Sequence, residues 1–248
     1  MRSTSISSKN FFFRHILKLI DEISDIFKKK KVNFEIIVVD DDSIDGTSEI
    51  VEKYTKEKSS LKFISRKNKK RNLALSINEG INLSKYDYVI WMDADFQHPP
   101  KYIDKFIDFS KEYDAVIASR FLKESKRYFN TEEFKKEINE NQSYFYNKIC
   151  HSLFFKDVTD YTSGFVCLKK DFFKDYSLSG YYGDYFVDLI IELKKNKRRI
   201  IEIPFKDSER ATGLSKTLVT INLKYLYTCF RYFLTLIKSY LKYKFSSG

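Results

Sequence analysis

An α/β fold, with a doubly wound and mostly parallel sheet carrying helices on both faces, is predicted by three features of this sequence. Short apolar runs rich in Ile and Val alternate with segments of helical period between residues 33 and 205, the pattern of strands joined by crossover helices. Two of those runs end in aspartate clusters, at Asp40 and at Asp93, and ligands of doubly wound sheets sit beyond the carboxyl ends of strands. At 248 residues the chain can bury a full core and suits one such domain plus an appendage.

The elements follow in order. Residues 33–40 form a β-branched run ending in acids, predicted as a buried strand of a parallel sheet. Residues 43–46 make a turn, and residues 47–56 then have helical spacing. A short second strand over 61–64 leads through a basic loop to a helix over about 71–83. Residues 86–92 are a third strand, again ending in acids at Asp93 and Asp95. Pro99-Pro100 stops that loop, and Pro100 suits the first turn of a helix through Phe109. Residues 114–118 are a fourth strand. The polar stretch 121–143 is expected to be a mobile loop entering a helix that ends near Phe155. A strand over 164–168, a helix over 183–195 and a last strand over 200–205 complete the pattern.

Hydrophobic residues at 43% and aromatics at 17% exclude global disorder, and seven Gly with three Pro leave little room for flexible linkers. Cys150, Cys167 and Cys229 are far apart and lack metal-ligand spacing, which fits a reducing compartment better than a disulfide framework. Phe11-Phe12-Phe13 is followed at once by Arg14 and His15, so no stretch there has the apolar core of a signal peptide. The expectation is a cytoplasmic catalytic part. The net charge of +11 is uneven: from Arg210 onward there are seven Lys or Arg and no Asp or Glu. An anionic surface is the natural partner of such a tail, although nucleic acid would also satisfy a basic patch.

The strongest motif is the run from Trp91 to Pro100, with Asp93 and Asp95 one residue apart after a strand. Two such carboxylates can turn oxygens toward one hard cation, Mg²⁺ or Mn²⁺, with a diphosphate supplying further oxygens. An isolated D-x-D serves equally well as a solvated loop with helix-capping acids. The preceding strand and the double proline favour the metal reading. The second motif is Asp40-Asp41-Asp42 followed by Ser43, Asp45, Gly46 and Thr47. Three consecutive acids repel one another unless cations or donor groups use them; capping accounts for one of them, and a nucleotide's base or ribose could use the others. His98 follows the metal motif and is placed behind it, whereas His15 and His151 read as structural or exposed.

Together and in this order, the two motifs resemble family-2 glycosyltransferases of the GT-A fold, and within that group dolichyl-phosphate mannose synthases and their bacterial polyprenyl-phosphate relatives. The resemblance runs from about residue 34 to residue 216. Its most specific piece is Asp93-Ala94-Asp95-Phe96-Gln97-His98-Pro99. Further matches are Ala118-Ser119-Arg120, Thr162-Ser163-Gly164-Phe165, Ile203-Pro204-Phe205, and Arg210 with Gly213-Leu214-Ser215-Lys216. The resemblance implies an inverting transfer from a nucleotide-diphosphate sugar to a polyprenyl phosphate. It implies that Asp93, Asp95 and Gln97 hold Mg²⁺ or Mn²⁺ and the donor diphosphate, and that Asp40 and Asp41 contact the donor nucleotide. Arg120, Arg210, Ser215 and Lys216 would line the phosphate-rich centre, with Asp160 near the acceptor. On this reading catalysis falls to Asp95, Arg120, Asp160 and Arg210, and Ser215 and Lys216 serve the donor. Charge agrees, since a diphosphate and an anionic acceptor call for several cations; Arg127 reads better as a surface ion pair.

The chain departs from the family in two places. Relatives open with an apolar strand ending in a Pro-x-Tyr-Asn-Glu type segment, whereas residues 4–11 here contain one apolar strand residue and no proline. Only Asn10 matches, and the first strand is expected to be weak, truncated or altered. The loop at Lys69-Lys70-Arg71-Asn72 also lacks the glycines that many relatives carry.

Residues 1–216 are thus expected to be the catalytic domain and residues 217–248 an amphipathic helical appendage. There Thr217, Thr220, Lys224, Thr228, Arg231, Thr235, Lys238 and Lys242 recur every three or four residues, a narrow polar stripe on an otherwise apolar helix. No uncharged run reaches the roughly 18–20 residues that a spanning helix needs. A helix lying in the membrane interface fits, which would place the protein at the cytoplasmic face of the cell membrane. The alternatives are docking on the protein's own core or a homo-oligomer contact. Rival functions are transfer to a sugar hydroxyl in surface polysaccharide synthesis, an inactive membrane-binding relative, and, weakest, a nucleic-acid-binding module.

Overall fold

The computed structural model describes residues 8–125, 142–180, 183–206 and 223–245. Six strands and seven helices alternate among them. In chain order they are α1 (Ser8–Lys30), β1 (Ile36–Asp40), α2 (Thr47–Thr55), β2 (Leu61–Ser65), α3 (Leu73–Leu83), β3 (Tyr88–Trp91), α4 (Ile103–Phe109), β4 (Ala115–Ser119), α5 (Gln142–Leu153), β5 (Val166–Lys169), α6 (Tyr185–Lys195), β6 (Ile200–Pro204) and α7 (Leu223–Phe245). A 3₁₀ turn, Pro100–Tyr102, precedes α4 with proline at its start, where a missing N–H costs nothing.

Local chemistry sets several boundaries. Helix α1 ends in Lys28, Lys29 and Lys30, whose charge complements the helix C-terminus. Lys31 then turns left-handed at φ 55°, and Lys31 N–H and Val32 N–H bond back to the Lys28 and Phe27 carbonyls at 3.0 and 3.2 Å, a Schellman closure made without glycine. Helix α3 starts at Asn72, whose side chain accepts from Leu75 N–H at 3.0 Å.

The strands form two sheets. β1 and β2 pair in parallel, Ile36 opposite Leu61. The other four lie in the order β3-β5-β4-β6. There β5 runs antiparallel to both neighbours, while β4 and β6 are parallel, so three of the four strands share one direction. An apolar run reports burial on both faces, not the direction of travel, and the reversal of β5 is not written in its residues.

Helices cover both faces. One core layer joins Ala74, Ile81, Cys150, Val187 and Ile190 to Val89, Ile117 and Val166. The opposite layer joins Ile103 and Phe106 to Val116, Phe165 and Ile203, with Ile23 and Phe27 of α1 packed against it. A third cluster sets Ile16, Leu19 and Ile20 of α1 against Ile36 and Val38 of β1 and against Met92.

These contacts locate a break in the sheet. Helix α1 packs on Ile36 and Val38 of β1 and on Ile90 and Met92 at β3. On the other face, α3 packs on Val89 and Trp91 of β3, and its Gly80 lies against Val39 of β1, where an added Cβ would stand 3.4 Å from the Val39 methyl. The two strands therefore occupy one layer between the same two helices, yet among the described residues each pairs on one side only, β1 with β2 and β3 with β5. Ile36, Ile37, Val38 and Val39 are half-buried, unlike the fully buried β4. The stretch aligned with the family's opening strand is helical from Ser8 onward, so Asn10 stands in α1 and not at a strand end.

The start of the 121–143 stretch is pinned: Phe121 is buried against Tyr144, and Ser125 Oγ donates to the Ser119 carbonyl at 2.7 Å. Residues 126–141, Arg127 included, lie outside the described residues.

Helix α7 is docked on α6 along one side. Two residues of the polar stripe, Thr235 and Lys242, face the protein, while Lys238 is exposed. Thr235 Oγ1 donates to Asp184 at 3.1 Å, and Lys242 pairs with Asp188 at 3.2 Å and Glu192 at 2.9 Å on α6. Leu236 and Ser239 are buried beneath it. The outward face carries Phe233, Leu234, Ile237, Leu241 and Phe245, all exposed, with Lys238 and Lys244 among them. Asp188 and Glu192 on α6 attract Lys242 inward, and the helical period cannot report a partner's charge. Among the described residues no helix is long and apolar enough to cross a membrane.

Candidate active site

The first acid loop leaves β3 at Trp91, whose indole N–H donates to Tyr185 Oη at 3.0 Å. Asp93 is exposed and Asp95 is half-buried. Asp95 Oδ1 accepts from Gln97 N–H at 3.0 Å, which closes a tight turn, and Phe96 between them holds φ 65°. Behind the loop, buried His98 stacks on Phe165 at 4.8 Å and its Nδ1 accepts from Asp93 N–H at 3.0 Å. Burial holds the imidazole below its usual pKa, with Asp93 pulling it up and Arg120 pushing it down. A neutral ring is the form that can accept at Nδ1. Asp93, Asp95, Arg120 and Asp160 all act on His98 electrostatically, so the acid loop and the Arg120–Asp160 pair share one electrostatic neighbourhood.

Arg120 follows β4 and Asp160 precedes the Thr162-Ser163-Gly164 turn. Asp160 is completely buried and faces a side chain of Arg120 that is 15% exposed. Arg120 Nε donates to Asp160 Oδ2 at 2.8 Å and Nη2 to Oδ1 at 2.9 Å, the parallel two-bond form of an ion pair. Asp160 also accepts from the backbone N–H groups of Arg120 and Thr162 at 3.1 and 3.0 Å. Both oxygens of Asp160 are thus engaged, and it serves as the counter-ion of Arg120. Thr162 Oγ1 in turn accepts from Arg120 Nη2 at 2.8 Å and Asn147 Nδ2 at 2.7 Å, tying α5 to the pair.

The second acid loop is largely internally satisfied. Asp40 Oδ2 accepts from Ser43 N–H at 3.0 Å and Ser48 Oγ at 2.8 Å. Asp41 pairs through Oδ1 with buried Arg66 and accepts from Asn72 N–H at 2.7 Å through Oδ2. Asp45 receives Thr47 N–H and Oγ at 3.0 and 2.7 Å. Three of the four acids there shape the loop, where capping was expected to use one. The repulsion among neighbouring acids is relieved by local N–H donors and by Arg66, a residue the motif reading missed. Asp42 sits at φ 64°. Arg66 also reaches Glu79 at 3.1 Å and Ser76 at 2.8 Å, and Asn72 Nδ2 reaches the Gly180 carbonyl at 2.9 Å.

Glu202 on β6 was missed as well. Its carboxylate accepts from Thr159 N–H and Oγ1, both at 2.8 Å, and from Asp160 N–H at 2.9 Å. Burial pushes its pKa up to about 7 against the lowering effect of those bonds. A lone acid inside the apolar run Ile200–Pro204 is the signal that could have found it. Arg210, Ser215 and Lys216 lie outside the described residues.

For a divalent cation, Asp93, Asp95 and Gln97 offer two carboxylates and an amide oxygen, a hard donor set suited to Mg²⁺ or Mn²⁺. No group of three or more acids, His or Cys that could hold a metal occurs among the described residues. The loop fits a cation that takes part of its coordination from a bound diphosphate.

The profile described as "Glycosyl transferase family 2" matches residues 13–177. A dolichol-phosphate mannosyltransferase of Pyrococcus furiosus is 32% identical over 186 residues, 75% of this chain and 51% of the relative. An uncharacterized protein of Methanocaldococcus jannaschii is 30% identical over 197 residues, covering 76% of this chain and 80% of its own length. The chain therefore spans about half the length of the Pyrococcus relative. Among solved structures, glucosyl-3-phosphoglycerate synthase of Mycobacterium tuberculosis with Mn²⁺, UDP and phosphoglyceric acid is similar at TM-score 0.62 and 14% identity, over 90% of this chain and 72% of that one. A mannosyltransferase of Pyrobaculum calidifontis with GDP-Man and Mn²⁺ is similar at TM-score 0.55 and 15% identity, over 89% and 61%. The fold is GT-A, and the chain belongs to glycosyl transferase family 2.

Proposed function

We propose that this protein transfers a sugar from a nucleotide-diphosphate donor to a polyprenyl phosphate at a membrane surface, with inversion at the anomeric carbon. One observation carries the reading: the buried Asp160 holds Arg120 in a fixed two-bond pair at the end of β4, beside the exposed Asp93 loop. That arrangement sets a rigid cation next to oxygens suited to a diphosphate. The names of the relatives support both substrates, as dolichol-phosphate mannosyltransferases and as complexes with UDP or GDP-Man.

In the reaction, an oxygen of the acceptor phosphate bonds to the anomeric carbon as that carbon's bond to the diphosphate oxygen breaks. The electron pair leaves with the diphosphate. A phosphate oxygen is already ionised near neutral pH, so no general base is required, in keeping with an Asp160 whose oxygens are both taken. Arg120 orients the anionic acceptor and offsets its charge, and Asp93, Asp95 and Gln97 bind the donor end. When bound there, Mg²⁺ or Mn²⁺ would neutralise charge on the departing diphosphate. Arg210, Ser215 and Lys216 would add to the phosphate-rich centre.

The outward face of α7 supports membrane association: Phe233, Leu234, Ile237 and Leu241 with Lys238 and Lys244 make an apolar face with cations, suited to an anionic bilayer interface at the cytoplasmic side. The deciding assay is transfer from a panel of nucleotide sugars, with Mn²⁺, to polyprenyl phosphates and to sugar-hydroxyl acceptors. Transfer to hydroxyls alone would overturn the reading.

A further inference from the structure

We infer that Glu202 is a positioning residue for the acceptor side of the site: from inside β6 it holds the backbone of Thr159 and Asp160, and so sets where the Asp160–Arg120 pair presents its charge. The inference rests on the reading of Arg120 as the acceptor's cation.

Glu202 is the one acid of the Ile200–Pro204 strand, opposite Ile117 of β4 in the parallel register. Glu202 is half-buried there, and among the described residues it forms no ion pair. Its acceptor capacity goes to one two-residue segment instead. Oε1 takes the Asp160 N–H at 2.9 Å, and Oε2 takes the Thr159 N–H and hydroxyl at 2.8 Å each. Two successive N–H groups held by one rigid side chain fix the peptide plane between them. That plane sets the direction of the Asp160 side chain, which meets three donors of Arg120 and the Thr162 N–H. Thr159 Oγ1 also lies 2.6 Å from Ser119 Oγ, next to Arg120 in the chain, so the segment is tied to β4 as well as to β6. A neutral isostere would satisfy the strand ladder equally well; what needs a carboxylate is the pair of N–H groups.

Glu202→Gln tests the inference, because it keeps the size and replaces one accepting oxygen by an NH₂ that cannot accept. Three results are expected. Amide hydrogen exchange at Thr159 and Asp160 accelerates. The apparent KM for farnesyl phosphate rises about tenfold, the scale of one lost hydrogen bond to a charged group, while the KM for the nucleotide sugar stays within about twofold. In an Arg120→Ala background the second substitution adds no further change in acceptor KM, the non-additivity of residues acting as one unit. Unchanged exchange at both amides would overturn the inference, as would equal effects on donor and acceptor KM or simple additivity with Arg120→Ala. Should Glu202→Gln not fold, Thr159→Val removes one of the three donors at similar volume and is expected to shift the same readouts less. If the wild type transfers sugar to no lipid phosphate, the proposed function falls, and amide exchange in Glu202→Gln still decides whether Glu202 holds this segment.

Discussion

Arg120 and Asp160 meet through two parallel hydrogen bonds of 2.8 and 2.9 Å, with the carboxylate wholly removed from solvent and the guanidinium at the rim. Removing the arginine would leave an unpaired buried charge, which costs about 3–5 kcal/mol. Arg120→Ala is therefore expected to lower the urea unfolding free energy by about that amount and to slow transfer, with a raised acceptor KM. Arg120→Lys keeps the charge but cannot make both bonds, so activity should fall further than stability does. Equilibrium unfolding and transfer rates on the same preparations check both.

Asp93 and Asp95 stand in solvent or half-buried, so their replacement should spare the fold. Asp95→Asn can still accept from Gln97 N–H and is expected to unfold at the wild-type temperature. Both Asp93→Asn and Asp95→Asn should lose the rise in melting temperature that Mn²⁺ with a nucleotide diphosphate gives the wild type. A retained rise in both variants would remove the metal from this loop.

Glu202 links the site to pH. Its pKa rises from an ordinary 4.5 to about 7, chiefly through burial. Between those values the folded protein holds a proton that the unfolded chain has lost, so stability falls as pH climbs from about 4.5 to 7 and levels off above. The full effect is about 3 kcal/mol at most. Glu202→Gln should flatten this slope, read as the difference between wild-type and variant unfolding free energies across that range.

On α7 the two faces make separable predictions. Changing Leu234, Ile237 and Leu241 to Ser should weaken flotation with anionic vesicles and leave the unfolding midpoint nearly unchanged, because those side chains are already exposed. Lys242→Ala should lower the midpoint, since Lys242 joins α7 to Asp188 and Glu192. Unaltered flotation with the triple variant would point to an oligomer contact, checked by sedimentation.

The break between β1 and β3 predicts a stabilising graft. A five-residue Val/Ile strand and a short turn added ahead of Met1 should raise the unfolding midpoint by giving β1 and β3 a partner on the sides that have none among the described residues. The same length of Ser and Asn should not.

Much of this protein was determined by sequence alone. The alternation of runs such as Ile36–Asp40 and Ala115–Ser119 with helical segments defined the α/β class, because burial on two faces and the helical period are local properties of the chain. The Asp93–Gln97 loop and Arg120 were legible because residue type and place after a strand suffice to suggest their chemistry. Tertiary structure alone decided who satisfies whom. Asp41 is turned to Arg66, Asp160 to Arg120, and Glu202 to a loop some forty residues earlier. It also decided that β5 runs backwards, that β1 and β3 have no shared ladder among the described residues, and that Thr235 and Lys242 of α7 point inward. A carboxylate's role depends on which donors reach it once water is gone, and those donors are brought by segments that share no sequence neighbourhood with it.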